Sequence, residues 1–177
     1  PIDSELQIID EYAFDGSTSK FRFTIPLHLT RICYRAFCHS NTVYLEIPPN
    51  SELQIIEKEA FSCSIVVKFT ITPHVTEIGK RAFEDSGLIK LNILPNSKLQ
   101  TIKESAFANT WIGSFPIPPC LTYIGENAFY CENIQIVEID DNCILEFNSF
   151  FLMLRFPCCK IFMVSPIFKD RFIYLTK

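Results

Sequence analysis

The residues best able to carry chemistry in this chain are its cysteines and histidines. The 177 residues include eight cysteines, at Cys33, Cys38, Cys63, Cys120, Cys131, Cys143, Cys158 and Cys159. None belongs to a CxxC pair, and no cysteine–histidine set has the spacing of zinc ligands. Two of the three histidines, His28 and His74, lie after a proline in equivalent segments, which favours solvated loop residues over a catalytic base. We therefore predict no metal site and mainly structural thiols, with one or two disulfides as the alternative.

Sequence motifs of catalysis and cofactor binding are absent as well. The chain contains no GxSxG, no P-loop, no GxGxxG and no HExxH. Its formal net charge of −4 argues against a nucleic-acid-binding protein, which needs a clustered basic face. We expect a non-catalytic protein that needs no cofactor and binds no nucleic acid. A hydrolase with one hyper-reactive cysteine is the enzyme alternative.

The elements that position all other residues come from an internal repeat. Its marker is an Ala-Phe pair, found at Ala13-Phe14, Ala36-Phe37, Ala60-Phe61, Ala82-Phe83, Ala106-Phe107 and Ala128-Phe129. Successive phenylalanines are 23, 24, 22, 24 and 22 residues apart, and Ser149-Phe150 is a weaker echo 21 residues further on. A fixed period of roughly 20 to 50 residues indicates a solenoid, in which each coil completes its core against the next.

Each unit opens with two apolar residues separated by one other residue. These pairs are Phe23/Ile25, Leu45/Ile47, Phe69/Ile71, Leu91/Ile93, Phe115/Ile117 and Val137/Ile139. The period of two predicts a strand, and the proline that follows it in most units ends the strand because proline has no N–H for the ladder. A second apolar pair comes next, and the polar segment between it and Ala-Phe predicts one exposed helical turn. Stacked units would place the phenylalanines in a column, each buried ring contributing roughly 1.5–3 kcal/mol.

The consensus of the units is L-x-x-I-x-I-P-x-x-V-x-x-I-G-x-x-A-F, carried best by residues 88–107 and 69–83. Over about residues 2–150 this pattern resembles the BspA-like (Treponema-type) leucine-rich repeat, and its alternation of long and short units resembles the protozoan branch. The resemblance implies an α/β but β-rich leucine-rich-repeat solenoid. It further implies a right-handed curved coil with a parallel sheet on the concave side and short helical turns on the convex side. The family is abundant in bacterial and flagellated-protozoan surface proteins, so the resemblance implies a cell-surface or secreted location, with a cytoplasmic one as the alternative. Glycine follows the second apolar pair only at Gly79 and Gly125, so we expect no positive φ there.

We predict two regions in the chain. Residues 1–142 are a solenoid of about six units of 22–24 residues, and because the chain opens inside a unit we expect a fragment of a longer protein. Residues 143–177 are a degenerate last repeat and a C-terminal cap, which could mediate self-association if it covers the core incompletely. A membrane anchor in this tail is disfavoured, because a spanning helix needs about 20 apolar residues and several residues interrupt the run: Arg155, Pro157, Lys160 and Pro166. Membrane association is expected only through regions outside this chain.

The outward positions of the strands form two lanes on the predicted concave sheet. The first lane is Arg22, Tyr44, Lys68, Lys90, Ser114 and Ile136, and the second is Thr24, Glu46, Thr70, Asn92, Pro116 and Glu138. Arginine and tyrosine are enriched at binding hot spots, so the candidate ligand surface is Arg22, Tyr44, Glu46, Lys68, Lys90 and Asn92. The alternative is an ordinary solvated sheet face. If adjacent strands pair in register, Lys68 and Lys90 lie about 5 Å apart, which motivates the hypothesis of an acidic ligand.

The function most consistent with these features is a protein-recognition or adhesion module that binds a protein ligand, such as a host-cell or matrix protein, through the concave face. A structural spacer without its own ligand is one alternative, and an intracellular scaffold is another. Persistent disulfides would argue against the scaffold, because they indicate an oxidising compartment.

Overall fold

The fold was obtained as a computed structural model, which describes residues 4–20, 22–41, 44–139, 142–144, 155–156 and 159 and the backbone of 161–164. Each coil of the chain contributes a longer strand and then a strand of two residues. The longer strands are β2 (Arg22–Thr24), β4 (Tyr44–Glu46), β6 (Lys68–Ile71), β8 (Lys90–Ile93), β10 (Ser114–Ile117), β12 (Ile136–Ile139) and β13 (Ile161–Val164). The short strands are β1 (Ile8–Ile9), β3 (Arg31–Ile32), β5 (Ile55–Ile56), β7 (Glu77–Ile78), β9 (Thr101–Ile102) and β11 (Tyr123–Ile124). The result is a solenoid of parallel strands with about six coils.

The short strands form one continuous parallel sheet in the order β1-β3-β5-β7-β9-β11. The last residue of each short strand is the second member of the second apolar pair, which was not predicted to be a strand. The residue before each short strand is alternately Gln or Thr, and its carbonyl accepts two N–H groups from the next coil. At Gln7, for example, the carbonyl accepts from Thr30 at 2.8 Å and from Arg31 at 3.3 Å, and the Thr30 hydroxyl donates to it as well. This ladder ties each coil to its neighbours independently of the core.

The longer strands also pair in parallel and in register, but they form three separate groups: β2-β4, β6-β8 and β10-β12-β13. The expectation of one parallel sheet across all these strands is therefore corrected. The cause lies in the length of the loop between the period-two apolar pair and the short strand. In the long units the last residue of that pair and the last residue of the short strand are nine positions apart, as at Ile47 and Ile56. In the short units the same two residues are seven positions apart, as at Ile25 and Ile32. The two extra residues enlarge the proline loop, and no ladder forms across it among the described strands.

The segment that carries Ala-Phe is made of consecutive turns, so the predicted helical turn is not confirmed. The angle φ lies between 52° and 57° two residues before each phenylalanine, at Tyr12, Arg35, Glu59, Arg81, Ser105 and Asn127. It lies between 53° and 66° two residues after five of them, at Gly16, His39, Cys63, Asp85 and Asn109. Such left-handed residues cannot continue a right-handed helix, and each non-glycine one costs on the order of 1–3 kcal/mol. Backbone hydrogen bonds from one coil to the next hold this conformation in place. For example, the Phe37 N–H donates to the Ala60 carbonyl at 2.7 Å.

The phenylalanines form the predicted column at the centre of the core. Rings 14, 37, 61, 83, 107 and 129 stack on one another with centroid separations of 4.9 to 5.3 Å and interplanar angles of 4° to 19°. From Phe37 onward these rings are fully buried. Phe156 extends the column, 4.7 Å from Phe129. The Phe129 N–H donates to the Arg155 carbonyl, where earlier coils use the carbonyl of Ala. The echo at Ser149-Phe150 lies outside the described residues, and its expected place in the column is taken by Phe156.

Gly79 and Gly125 lie where two coils approach most closely. As expected, neither has a positive φ. A Cβ on Gly79 would lie 2.5 Å from the backbone carbon of Glu57 and 2.6 Å from the nitrogen of Lys58. The Gly125 site is equally tight against the backbone of Lys103 and Glu104. These glycines are therefore required by backbone contact between coils and not by turn conformation.

Candidate functional site

The outward side chains of the longer strands, which we call the lane face, alternate with buried ones as predicted. In β6, for example, Phe69 and Ile71 are buried while Lys68 is exposed and Thr70 is half-buried. The buried residues pack on the phenylalanine column, which fixes the direction of the side chains between them. The grouping of the strands divides the six candidate residues into two sets: Arg22, Tyr44 and Glu46 on β2 and β4, and Lys68, Lys90 and Asn92 on β6 and β8.

The first set holds its side chains together by contacts between β2 and β4. The Arg22 guanidinium lies 5.4 Å from the centre of the Tyr44 ring, a cation–π distance, and Tyr44 is 61% exposed. The Thr24 hydroxyl donates to the Glu46 carboxylate at 3.4 Å. A cleft of about 720 Å³ is lined by Arg22, Thr24 and Glu46 together with Phe23 and residues 47–49. This end of the lane face therefore combines an arginine and a carboxylate at an open cleft with an exposed tyrosine that contacts the arginine.

The second set is dominated by two adjacent lysines. Lys68 and Lys90 are exactly opposed in the β6–β8 register, as are Thr70 and Asn92, and strands in such a ladder lie about 4.8 Å apart. Both lysines are exposed. Within the described ranges, no carboxylate oxygen lies within 4 Å of either ammonium group or of the Arg22 guanidinium. Like charges opposed in this way repel each other, so the pair is held by the fold and is not stabilised by its own contacts.

Most of the cations outside the lane face in the described part of the chain lie close to a carboxylate. Six of them on the short strands and turn segments lie 2.5 to 3.7 Å from a glutamate oxygen: Arg31, Arg35, Lys58, Lys80, Arg81 and Lys103. The hydrogen bond from Lys80 lowers the pKa of the Glu104 carboxyl below its ordinary value. Lys20 and Lys98 have no such partner among the described residues, but each lies singly on a loop. Within the described part of the chain, two cations without a carboxylate partner are direct neighbours on the lane face, at Lys68 and Lys90.

Sequence analysis missed three exposed apolar residues beside these lysines. Val67, Ile89 and Trp111 are 40%, 57% and 61% exposed. Val67 and Ile89 directly precede Lys68 and Lys90, and the Ile89 N–H donates to the Val67 carbonyl at 2.9 Å. The period of two was applied only to the strands themselves, whereas Val67 and Ile89 lie just before the strands, where two consecutive side chains are exposed. The repeat consensus could have indicated this exposure. In its opening L-x-x-I, both positions between Leu and Ile accept any residue type, as expected for exposed side chains.

The cysteines and histidines occupy structural positions in the described part of the chain. Cys33, Cys38 and Cys131 are buried, no disulfide joins the seven described cysteines, and burial raises the pKa of the Cys33 and Cys38 thiols. His28 and His74 are exposed on their loops, as expected. No group of three or more His, Cys, Asp or Glu side chains suited to a metal ion occurs among these residues.

Comparison with known proteins identifies the repeat. The family model of the BspA type leucine rich repeat region matches residues 1–97 and 91–154, in six copies. The chain belongs to this family. The fold is similar to that of the pneumococcal vaccine antigen PcpA, with a TM-score of 0.72 and 24% identity over 77% of this chain and 36% of that one. It is also similar to a leucine rich cell surface protein from Faecalibacterium prausnitzii A2-165, with a TM-score of 0.60 and 25% identity over 76% of this chain and 37% of that one.

The chain therefore spans little more than a third of the length of either solved relative. No sequence match to a curated protein was found. The structural similarity to PcpA supports the fold, and the family match supports the repeat itself. Among the described residues, none of the helices has the length and apolar character that crossing a bilayer requires.

Proposed function

We propose that this domain of the BspA-type leucine-rich-repeat family is a non-catalytic recognition or adhesion module that binds a protein ligand through the lane face. The observation that carries the proposal is the contrast between the two sides of the coil. Cations on the turn segments are neutralised by glutamates of the same or a neighbouring coil, whereas Arg22, beside the exposed Tyr44, and the pair Lys68 and Lys90 present unneutralised charge. A surface of this kind favours binding of an external partner, because cations without a carboxylate partner and exposed aromatic rings contribute most to binding affinity.

The family and its structural relatives support the wider setting of this proposal. One similar protein is a vaccine antigen and the other a cell surface protein. We propose a cell-surface or secreted location, with a host-cell or matrix protein as the class of ligand. We also propose that the coil is right-handed with the lane face on its concave side, since a curved solenoid gives that face the shape of an extended binding surface. The proposed self-association through the tail involves side chains outside the described residues.

The experiment is a binding screen against host-cell and matrix proteins with three forms of the domain. The parent is compared with a lane variant, Arg22→Glu, Lys68→Glu and Lys90→Glu, and with a control variant, Lys20→Glu, Lys58→Glu and Lys98→Glu. Both variants change the formal charge equally, and all six side chains are exposed or only weakly paired, so circular dichroism should show native folding in each. We expect the parent and control to bind a common partner that the lane variant loses.

Two other outcomes would contradict the proposal. Equal binding by all three forms would move the contact to the turn segments or the tail. The absence of any partner for the parent would favour the structural spacer, whose coils only project another region. The two results differ in the behaviour of the parent, so the screen separates a wrong surface from a wrong function.

A further inference from the structure

We infer that the domain binds an acidic segment with alternating apolar side chains at a patch made of Lys68 and Lys90 of the lane face and of Val67, Ile89 and Trp111, which lie just before the strands. This inference rests on the proposed function and specifies the chemistry of its ligand. We call these five residues the lysine–apolar patch. They lie on three successive coils. Neither the composition nor the period-two pattern of the strands predicted that they belong to one surface.

Backbone contacts fix the arrangement of the patch. The Val67 carbonyl accepts the N–H groups of Ile89 at 2.9 Å and Lys90 at 3.1 Å, so the apolar pair and the lysine pair run side by side along the same two coils. On the next coil the Trp111 N–H donates to the Leu88 carbonyl at 2.9 Å, which ties the backbone at Trp111 to the residue before Ile89. Beneath the patch, Phe69, Leu88 and Leu91 are buried and anchor it to the core.

The chemistry of the patch selects its partner by charge and by polarity. Two ammonium groups on strands about 4.8 Å apart can share one carboxylate or hold two successive ones, and such a ligand removes the repulsion between them. Val67, Ile89 and Trp111 are three large apolar side chains exposed to solvent near the lysines. Exposed apolar side chains next to polar residues are typical of an interaction site. An extended segment in which acidic and apolar residues alternate satisfies both rows at once, because successive side chains point to opposite edges.

Trp111 is the only tryptophan in the chain, so it reports directly on occupation of the patch. The probe is the blocked peptide Glu-Leu-Glu-Leu-Glu, titrated into the domain at low salt while the Trp111 emission is followed. The comparison peptides are Glu-Ser-Glu-Ser-Glu, which lacks apolar side chains, and Lys-Leu-Lys-Leu-Lys, which reverses the charge. We expect a saturable blue shift with the first peptide, at least about tenfold weaker binding of the second, and no binding of the third.

Matched variants locate the effect. Lys68→Glu with Lys90→Glu should weaken peptide binding at least about tenfold, whereas Lys20→Glu with Lys98→Glu, which changes the charge equally, should leave it within about twofold. Ile89→Ser should weaken binding several-fold, whereas Leu6→Ser, which alters another exposed apolar residue, on the first coil, should not. All these side chains are exposed, so the variants are expected to fold as the parent does.

The inference is overturned if both charge variants lose the peptide equally, because the attraction would then be one of net charge. It is also overturned if the Glu-Ser peptide binds as well as the Glu-Leu peptide. Binding of the domain to phosphatidylserine vesicles through Lys68 and Lys90, with no peptide binding, would make the ligand an anionic membrane surface instead. If the peptide fails but the lane variant still loses its protein partner in the screen, the proposed function stands and only the ligand chemistry is wrong.

Discussion

The phenylalanine column makes a quantitative prediction for the substitution Phe83→Ala. Phe83 is fully buried, stacks between Phe61 at 5.0 Å and Phe107 at 5.3 Å, and meets the edge of Phe69 at 4.9 Å. Removing the ring leaves a cavity that the coils cannot close, because backbone ladders on both sides of the core hold them at fixed spacing. We expect a loss of about 3–5 kcal/mol in the free energy of unfolding. That is a large part of the roughly 5–15 kcal/mol typical of a whole domain.

The assay is equilibrium unfolding in urea followed by far-ultraviolet circular dichroism. Phe23→Ala is the control, because Phe23 is half-buried at the first coils, where it contacts Phe14 and Phe37 at the start of the column, so we expect about 1–2 kcal/mol there. If Phe83→Ala does not fold, Phe83→Leu keeps most of the volume and should cost about 1–2 kcal/mol. If the free energy of unfolding falls no more for Phe83→Ala than for Phe23→Ala, the phenylalanines do not form a continuous column that stabilises the core.

The remaining predictions concern coil contacts and thiols. Gly79→Ala should lower the free energy of unfolding by about 1–3 kcal/mol, because the new Cβ meets backbone atoms, while Gly113→Ala, with nothing within 4 Å, should not lower it. Equal urea midpoints for the two variants would contradict the close approach of coils. Cys120 should react quickly with a thiol reagent at pH 8, whereas Cys33 and Cys38, whose pKa values are raised by burial, should react only on unfolding. Mass spectrometry of the labelled peptides measures this order, and fast labelling of Cys38 would show that its coil opens.

The coil architecture could be predicted from the sequence because six copies of one pattern reinforce each other. The period of the Ala-Phe pairs predicted the column, and the period of two within each unit predicted which side chains of the longer strands point inward. The register of Lys68 with Lys90 followed from the constant spacing between paired units and is confirmed. The family match confirms the resemblance that these residues carried.

The features that the sequence could not predict are those set by contacts between coils. The short strands have only two residues each, too few to show a period, and their ladder exists only because neighbouring coils supply it. The left-handed residues of the turn segments include Tyr12, Arg35 and Glu59, types that do not favour positive φ, so the conformation is imposed by the bonds to the next coil. Phe156 lies 27 positions after Phe129, outside the period, and joins the column by stacking on Phe129, whose N–H donates to the neighbouring Arg155 carbonyl.

The candidate site was predictable in part for the same reason. Alternation identified the outward residues, but it could not show that the enlarged proline loops divide them into two sets. It also excluded Val67 and Ile89, because a strict period of two assigns the residue before Lys68 or Lys90 to the inside. The strands begin only at Lys68 and Lys90, so the alternation does not extend to the residues before them, and both side chains of each such pair are exposed.

The most direct test of recognition through the lane face is lysine footprinting of the unaltered domain. Lysines are acetylated with and without the partner found in the screen, and protection is measured for each by mass spectrometry. Lys68 and Lys90 should be protected by the partner, while Lys20 and Lys98 on loops and Lys58 and Lys80 on the turn segments react as before. Protection of Lys58 and Lys80, with Lys68 and Lys90 still reactive, would contradict the account.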